Sequence, residues 1–233
     1  MYKLLSKLFR KLITKHFNIA LITLILFTIT LYIFAGTWIF FYLPNDYLQG
    51  DLVKIMYIHV PCAWISLASY IILGIFSTFY LMYNDRMCNI GMQSAMIVSL
   101  NSCLITLVTG AIWGKAAWGT WWIWDPRLTA VFIQFCLLLI CYMMKECSNN
   151  NYTIDQSVAL LTIIGLINIP IIKFAVNTWN SIHQNASVFR MSGVRIASEF
   201  FYPLIISFIA ICCFYLLIGL ISARNQINEI KNS

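Results

Sequence analysis

Six stretches without a charged side chain run through the sequence, at 16–45, 55–84, 87–114, 128–144, 156–172 and 200–223. A helix that crosses a bilayer needs about 20 mostly apolar residues, with a range of roughly 17–25. All six runs reach that length, two of them at its lower limit. Only 10% of the residues are charged, against about 25% in an ordinary soluble domain. The expected fold is therefore an all-α integral membrane protein with six transmembrane helices. One membrane domain covers 1–233, with spans near 17–42, 55–83, 92–113, 126–144, 156–176 and 200–222. The uncharged run 174–189 is too polar to be a seventh span and reads as a loop. The first span is too long for the apolar core of a signal peptide, and no small-residue cleavage site follows it. It is expected to be retained.

Charge sets the expected orientation. Residues 1–15 carry five cations and no acid, which favours a cytoplasmic N-terminus. Six crossings then return the C-terminus to the same side. Nine of the fifteen Lys and Arg residues fall on the inner segments, most of them in the N-terminal tail. On this topology all eight tryptophans lie towards the outer face. Trp38 ends the first span, Trp64 begins the second and Trp179 follows the fifth. A generic interfacial belt would enrich Trp at both membrane surfaces, so the one-sided pattern points to an outward-facing site.

The remaining five tryptophans, Trp113, Trp118, Trp121, Trp122 and Trp124, crowd into WGKAAWGTWWIWDPRLT over 113–129, expected as an outer loop with the third span breaking at Gly114. Indole faces stack on planar aromatic systems, and Lys115, Asp125 and Arg127 add charge to the same stretch. A flat, apolar ligand with acidic tails suits that mixture, and haem is such a ligand. Asp125 is a good helix N-cap and Pro126 a good first helical residue. Arg127 then falls in a first turn, where the helix dipole disfavours a cation and where anions bind readily. Lys115, Arg190 and Arg195 are the other available partners for a carboxylate.

Of the three histidines, His16 borders the N-terminal tail and reads as an interfacial residue without a role. His59 and His183 fall on the outer face, flanking the tryptophan stretch. Pro61 suits the first turn of a helix, which places His59 just ahead of the second span. Neutral imidazole is a good iron ligand, so these two are the candidate axial ligands. His59 and Cys62 also have H-x-x-C spacing, but a zinc site needs three or four ligands, and only His183 and Asp125 offer themselves. The eight cysteines form no C-x-x-C pair, which argues against c-type haem attachment and thioredoxin-like chemistry. Asn168 and Pro170 predict a kink in the fifth span. A resident b-type haem for electron transfer and a haem-free permease remain open alternatives.

The segment WGTWWIWDPRLT closely resembles the tryptophan-rich WWD signature of haem-handling membrane proteins of cytochrome c biogenesis. With HVPCAW at the second span, WNSIHQ after the fifth and six spans, nearly the whole chain resembles the cytochrome c maturation protein C family (CcmC, haem exporter protein C). Longer relatives, the cytochrome c haem lyases, share the motif but have more spans and additional histidines. The resemblance implies a bis-histidine site at His59 and His183 over the WWD platform, holding haem b as transient cargo. It implies presentation at the periplasmic face of a bacterial inner membrane to a haem chaperone (CcmE-like). Further implied partners are a single-span subunit (CcmD-like) and transporter subunits (CcmA- and CcmB-like). No nucleotide-binding motif occurs in the chain, so any ATP hydrolysis belongs to partners, and no catalytic residue or nucleic acid is expected.

Overall fold

In a computed structural model, the structure describes residues 2–147, 152–179, 181–183, 188, 193 and 195–232. Asn149, Asn185 and Arg190 lie outside the described residues. Helices account for nearly all of the described chain: α1 (Tyr2–Thr37), α2 (Met56–Tyr83), α3 (Arg86–Trp118), α4 (Pro126–Glu146), α5 (Tyr152–Gly165), α6 (Asn168–Thr178) and α7 (Ser198–Asn232). Among the described residues, six helical segments are long and apolar enough to cross a membrane, with α5 and α6 together forming one of them.

Local chemistry sets the boundaries. Asn84 ends α2 in the left-handed conformation at φ 49°. Asp85 then caps α3, its carboxylate accepting from the backbone N–H groups of Met87 at 2.9 Å and Cys88 at 3.1 Å. That pair turns the chain within two residues. At the opposite end, a π-helical turn at Trp38–Tyr42 closes the first span, and a 3₁₀ turn at Asp51–Ile55 runs directly into α2. Because α2 starts at Met56, Pro61 lies inside the helix and not at its first position. His59 is therefore in the first turn of α2, and the expectation that it precedes the helix is corrected.

The 113–129 stretch also differs from the expected loop. Helix α3 continues through Gly114 and stops at Gly119, which takes φ 78°. The aromatic ring of Trp118 folds back one turn and lies 3.1 Å from where a Cβ on Gly114 would sit. Gly114 thus accommodates an indole within the helix and does not break it. Only the link 119–125 is non-helical before α4 begins at Pro126.

The fifth span breaks between α5 and α6, near the expected kink. Pro170 has no N–H to return to Leu166, and the chain tightens instead: Leu166 N–H bonds to the Ile163 carbonyl at 3.1 Å. This leaves the Thr162 carbonyl without its usual helical donor, and the Tyr70 hydroxyl supplies one at 3.1 Å. The Asn168 amide donates to the Ala130 carbonyl at 2.8 Å and to Gln134 Oε1 at 3.2 Å, fastening α6 to α4.

Helix α2 is central and packs on α3, α5 and α7, while α1 packs chiefly on α7 at the periphery. Small buried residues on the facing helices, including Ser66, Ser69, Gly74, Ser99 and Ser102, let the backbones approach closely. One buried cluster joins α2 to α5 around Tyr70, Leu73, Met92, Met96 and Leu138. A second lies at the tryptophan-bearing end, where Ile39, Val53, Tyr57 and Leu204 are packed by Trp64, Trp113, Val188 and Phe200. That second cluster makes a firm floor beneath the connections.

Candidate functional site

Two small constellations meet at the tryptophan-bearing end. The first is built on α2 and α3. His59 is half-buried, with Nδ1 3.1 Å from Thr109 Oγ1. Its ring lies 3.0 Å from where a Cβ on Gly110 would sit, so only glycine allows this approach without a shift. Trp113 meets the imidazole edge-on at 5.6 Å between ring centroids. The Trp113 indole N–H donates to Gln49 Oε1 at 2.8 Å, and Gln49 is presented by a turn in which Asp46 accepts from the N–H groups of Leu48 and Gln49. Trp113 is therefore a wall behind His59, half-buried and tied to the first connection.

The second constellation is organised by Asp125, which is only 4% exposed. Its Oδ1 caps α4, accepting from Arg127 N–H at 2.9 Å and from Leu128 N–H at 3.4 Å. Its Oδ2 accepts from Ile182 N–H at 3.0 Å, across 57 positions of chain. His183 Nδ1 lies 3.3 Å from Asp125 Oδ1, and the His183 backbone N–H bonds to Ser181 Oγ at 3.1 Å. Trp118 meets the His183 ring edge-on at 5.0 Å. One carboxylate thus starts α4 and holds the connection that carries His183.

Electrostatics fit this arrangement. Burial opposes ionisation of Asp125, but the Ser181 hydroxyl, the N–H groups of Arg127 and Ile182 and the His183 ring outweigh it and hold the carboxyl below its ordinary range. Burial acts on His183 in the other sense: it pulls the imidazole below its ordinary value and outweighs the attraction of Asp125. At neutral pH the pair is an anion beside a neutral ring, the form that binds metals. A carboxylate behind the far nitrogen of a ligating histidine is a recurrent way of orienting it.

Arg127 is half-buried in the first turn of α4. Its charge acts on both imidazoles, and His183 acts on His59, so the three lie at the same end of the bundle. No hydrogen bond or ion pair joins its guanidinium to a described residue. Lys115, by contrast, donates to the Gly119 carbonyl at 2.9 Å and finishes α3. Arg195 is exposed.

The other tryptophans divide by exposure. Trp122 is half-buried, edge-on to Trp124 at 5.6 Å and to Phe132 at 5.7 Å, with its backbone held by the Thr120 hydroxyl. Trp121 and Trp124 stand 59% and 73% exposed, and Trp118 and Trp179 are exposed beside them. Large indole faces without a protein covering, next to a buried carboxylate, are what a flat ligand would lie upon. The H-x-x-C pair separates: Cys62 packs among Ile65, Ile211 and Tyr215 while His59 faces α3. Among the described residues, no three of His, Cys, Asp and Glu gather as a metal cluster.

Sequence reasoning missed Thr109, Gly110, Gln49 and the Ser181–Ile182 clamp. Gly110 inside a spanning helix was the one visible signal, since an interior glycine usually marks a close approach.

Comparisons with known proteins identify relatives of the whole chain. The family model described as heme exporter protein C matches residues 6–233. Heme exporter protein C of Bradyrhizobium diazoefficiens is 38% identical over 184 residues, covering 79% of this chain and 70% of the relative. Its counterpart from Paracoccus denitrificans is 34% identical over 190 residues, covering 81% and 79%. A ccmC-like mitochondrial protein of cytochrome c biosynthesis from Marchantia polymorpha is 37% identical over 188 residues, covering 81% and 77%. On the match across almost its whole length and these identities, the chain belongs to the heme exporter protein C (CcmC) family.

Proposed function

We propose that the chain binds haem as cargo at the tryptophan-bearing end and presents it for cytochrome c maturation. His59 and His183 supply the two axial nitrogens through Nε2, with their Nδ1 atoms 3.1 Å from Thr109 Oγ1 and 3.3 Å from Asp125 Oδ1 respectively. The exposed faces of Trp118, Trp121 and Trp124 cover the macrocycle, and the Arg127 guanidinium receives a propionate. Trp113 and Trp122 back the site without facing the ligand. Asp125 orients His183 and fixes its connection to α4. The observation that supports this reading is that two histidines, 124 positions apart in the chain, stand at the same end of the bundle, each against a tryptophan ring, with an arginine whose guanidinium pairs with no described residue.

In this reading the protein makes and breaks no covalent bond in the porphyrin; it binds, orients and releases. A CcmE-like haem chaperone is the recipient, with a CcmD-like single-span subunit and CcmA- and CcmB-like transporter subunits as partners in the inner membrane. The names of the relatives support haem export; the recipient is supported by the family resemblance.

The test is the haem-to-protein ratio and visible spectrum of detergent-purified His59→Ala and His183→Ala. Each variant is expected to lose haem or shift the Soret band, with partial recovery on adding imidazole. Unchanged haem and spectra in both would refute the ligand assignment. Because His59 stands on a spanning helix, as in a resident b-type cytochrome, a second assay mixes loaded protein with haem-free acceptor. Cargo transfers; a resident group stays.

A further inference from the structure

We propose that Thr109 is the positioning residue of the His59 ligand: its hydroxyl accepts the Nδ1 proton and so fixes the tautomer that offers Nε2 to the substrate iron. The inference rests on the bis-histidine reading above and adds to it a residue outside the tryptophan stretch.

A threonine hydroxyl has one proton to give and two lone pairs. Thr109 Oγ1 lies 2.6 Å from the Ile105 carbonyl one turn back along α3, a short bond that commits its proton there. The same oxygen is 3.1 Å from His59 Nδ1, so it turns a lone pair to the ring. The Thr106 carbonyl, 3.3 Å from the same hydroxyl, is a second acceptor for that proton. With its proton committed to a carbonyl, the Thr109 hydroxyl meets Nδ1 as an acceptor, which puts the ring proton on Nδ1. A neutral imidazole has one N–H, which leaves the lone pair on Nε2.

The ring is also held in place. Gly110 gives it room at 3.0 Å, and Trp113 closes the other side at 5.6 Å. Thr109, Gly110 and Trp113 span little more than one turn of α3, so a single helix supplies the acceptor, the space and the wall. The two histidines are thereby oriented by different chemistry: His183 faces a carboxylate and His59 a neutral hydroxyl. Partners behind a metal-ligating histidine change metal affinity by about 10–100-fold.

The experiment compares Thr109→Val, which keeps the shape and removes the hydroxyl, with Thr109→Ser, which keeps the hydroxyl. His59→Gly is prepared in parallel, and all are purified in detergent as full-length protein. Thr109→Val is expected to lower haem retention about tenfold or more and to alter the spectrum of the remainder, with Thr109→Ser near the parent. If His59→Gly loses haem while Thr109→Val matches the parent in ratio and spectrum, Thr109 is a helix threonine only and the proposal is overturned. If His59→Gly also retains normal haem, the bis-histidine reading itself fails. Should Thr109→Val not accumulate, nitrogen NMR of histidine-labelled, haem-free parent protein reads the tautomer directly, with His59 assigned by its loss in His59→Gly. A proton on Nδ1 supports the proposal; a proton on Nε2 overturns it.

Discussion

Arg127 occupies a position that a helix does not favour for a cation. In the first turn of α4 it meets the positive end of the macrodipole, at a cost of about 0.3–1 kcal/mol unless an anion compensates. Asp125 supplies part of that compensation, but its oxygens are already engaged by the N–H groups of Arg127, Leu128 and Ile182. A carboxylate ligand would complete it through charge-assisted hydrogen bonds worth about 1.5–3 kcal/mol. Arg127→Ala is therefore expected to weaken haem binding by about tenfold or more while leaving the axial-ligand spectrum intact. Arg127→Lys should recover only part, because lysine keeps the charge but not the planar fork. A merely structural arginine would instead lower protein abundance at a constant haem-to-protein ratio, and the two measurements together decide. The capping role of Asp125 was readable in the sequence because a cap followed by proline is a local pattern. Its second role, holding the connection that carries His183 through the Ile182 N–H, joins residues far apart in the chain and has no local signature. The same is true of Thr109 and His59, separated by 50 positions.

Among the elements, the broken fifth span carries the closest packing. Asn168 and Pro170 announced a kink, since proline removes a helical donor wherever it stands. The sequence did not show what would meet the break. A Cβ on Gly165 would lie 2.0 Å from the Tyr70 hydroxyl, the group that bonds to the freed Thr162 carbonyl. Gly165→Ala must therefore displace Tyr70 and sacrifice that hydrogen bond, with overpacking of about 1–3 kcal/mol. A lower melting temperature in detergent is expected. Tyr70→Phe in the Gly165→Ala background should soften the clash, so the double variant should be less destabilised than the sum of the singles. Strict additivity would show that Tyr70 is not the residue Gly165 makes room for. Gly114 shows the opposite error in reading a glycine. It looked like a helix breaker, yet it serves as a seat for Trp118, and the true stop is Gly119, where φ 78° suits glycine. A glycine's role depends on which side chain arrives opposite it, and composition does not reveal that.

At the scale of the whole molecule, one end of the helical bundle carries the histidines, the buried aspartate and the exposed indoles. The other carries a polar network in which Lys145 and Asn89 both bind Asp155. Nothing in the packing of the six spans says which end faces the cytoplasm; charge must. The N-terminal tail holds five cations and no acid, and cationic flanks of a span are retained on the cytoplasmic side. The tail forms the first part of α1, ahead of the span that starts at His16, and the far end of that span at Trp38–Tyr42 joins the tryptophan-bearing floor. A cytoplasmic tail would put His59 and His183 on the periplasmic side, as the proposed delivery to a haem chaperone requires. Reporter fusions at Asn149 and at the C-terminus are expected to read cytoplasmic, and fusions at Gly119 and Asn185 periplasmic. Moving charge provides the control: replacing the five tail cations by glutamine should weaken this preference, since the remaining Lys and Arg residues show little bias between the two sides. A cytoplasmic signal at Gly119 in the parent protein would reverse the membrane and turn the site away from any periplasmic recipient. The haem-binding geometry would survive that result, but delivery at the periplasmic face would not.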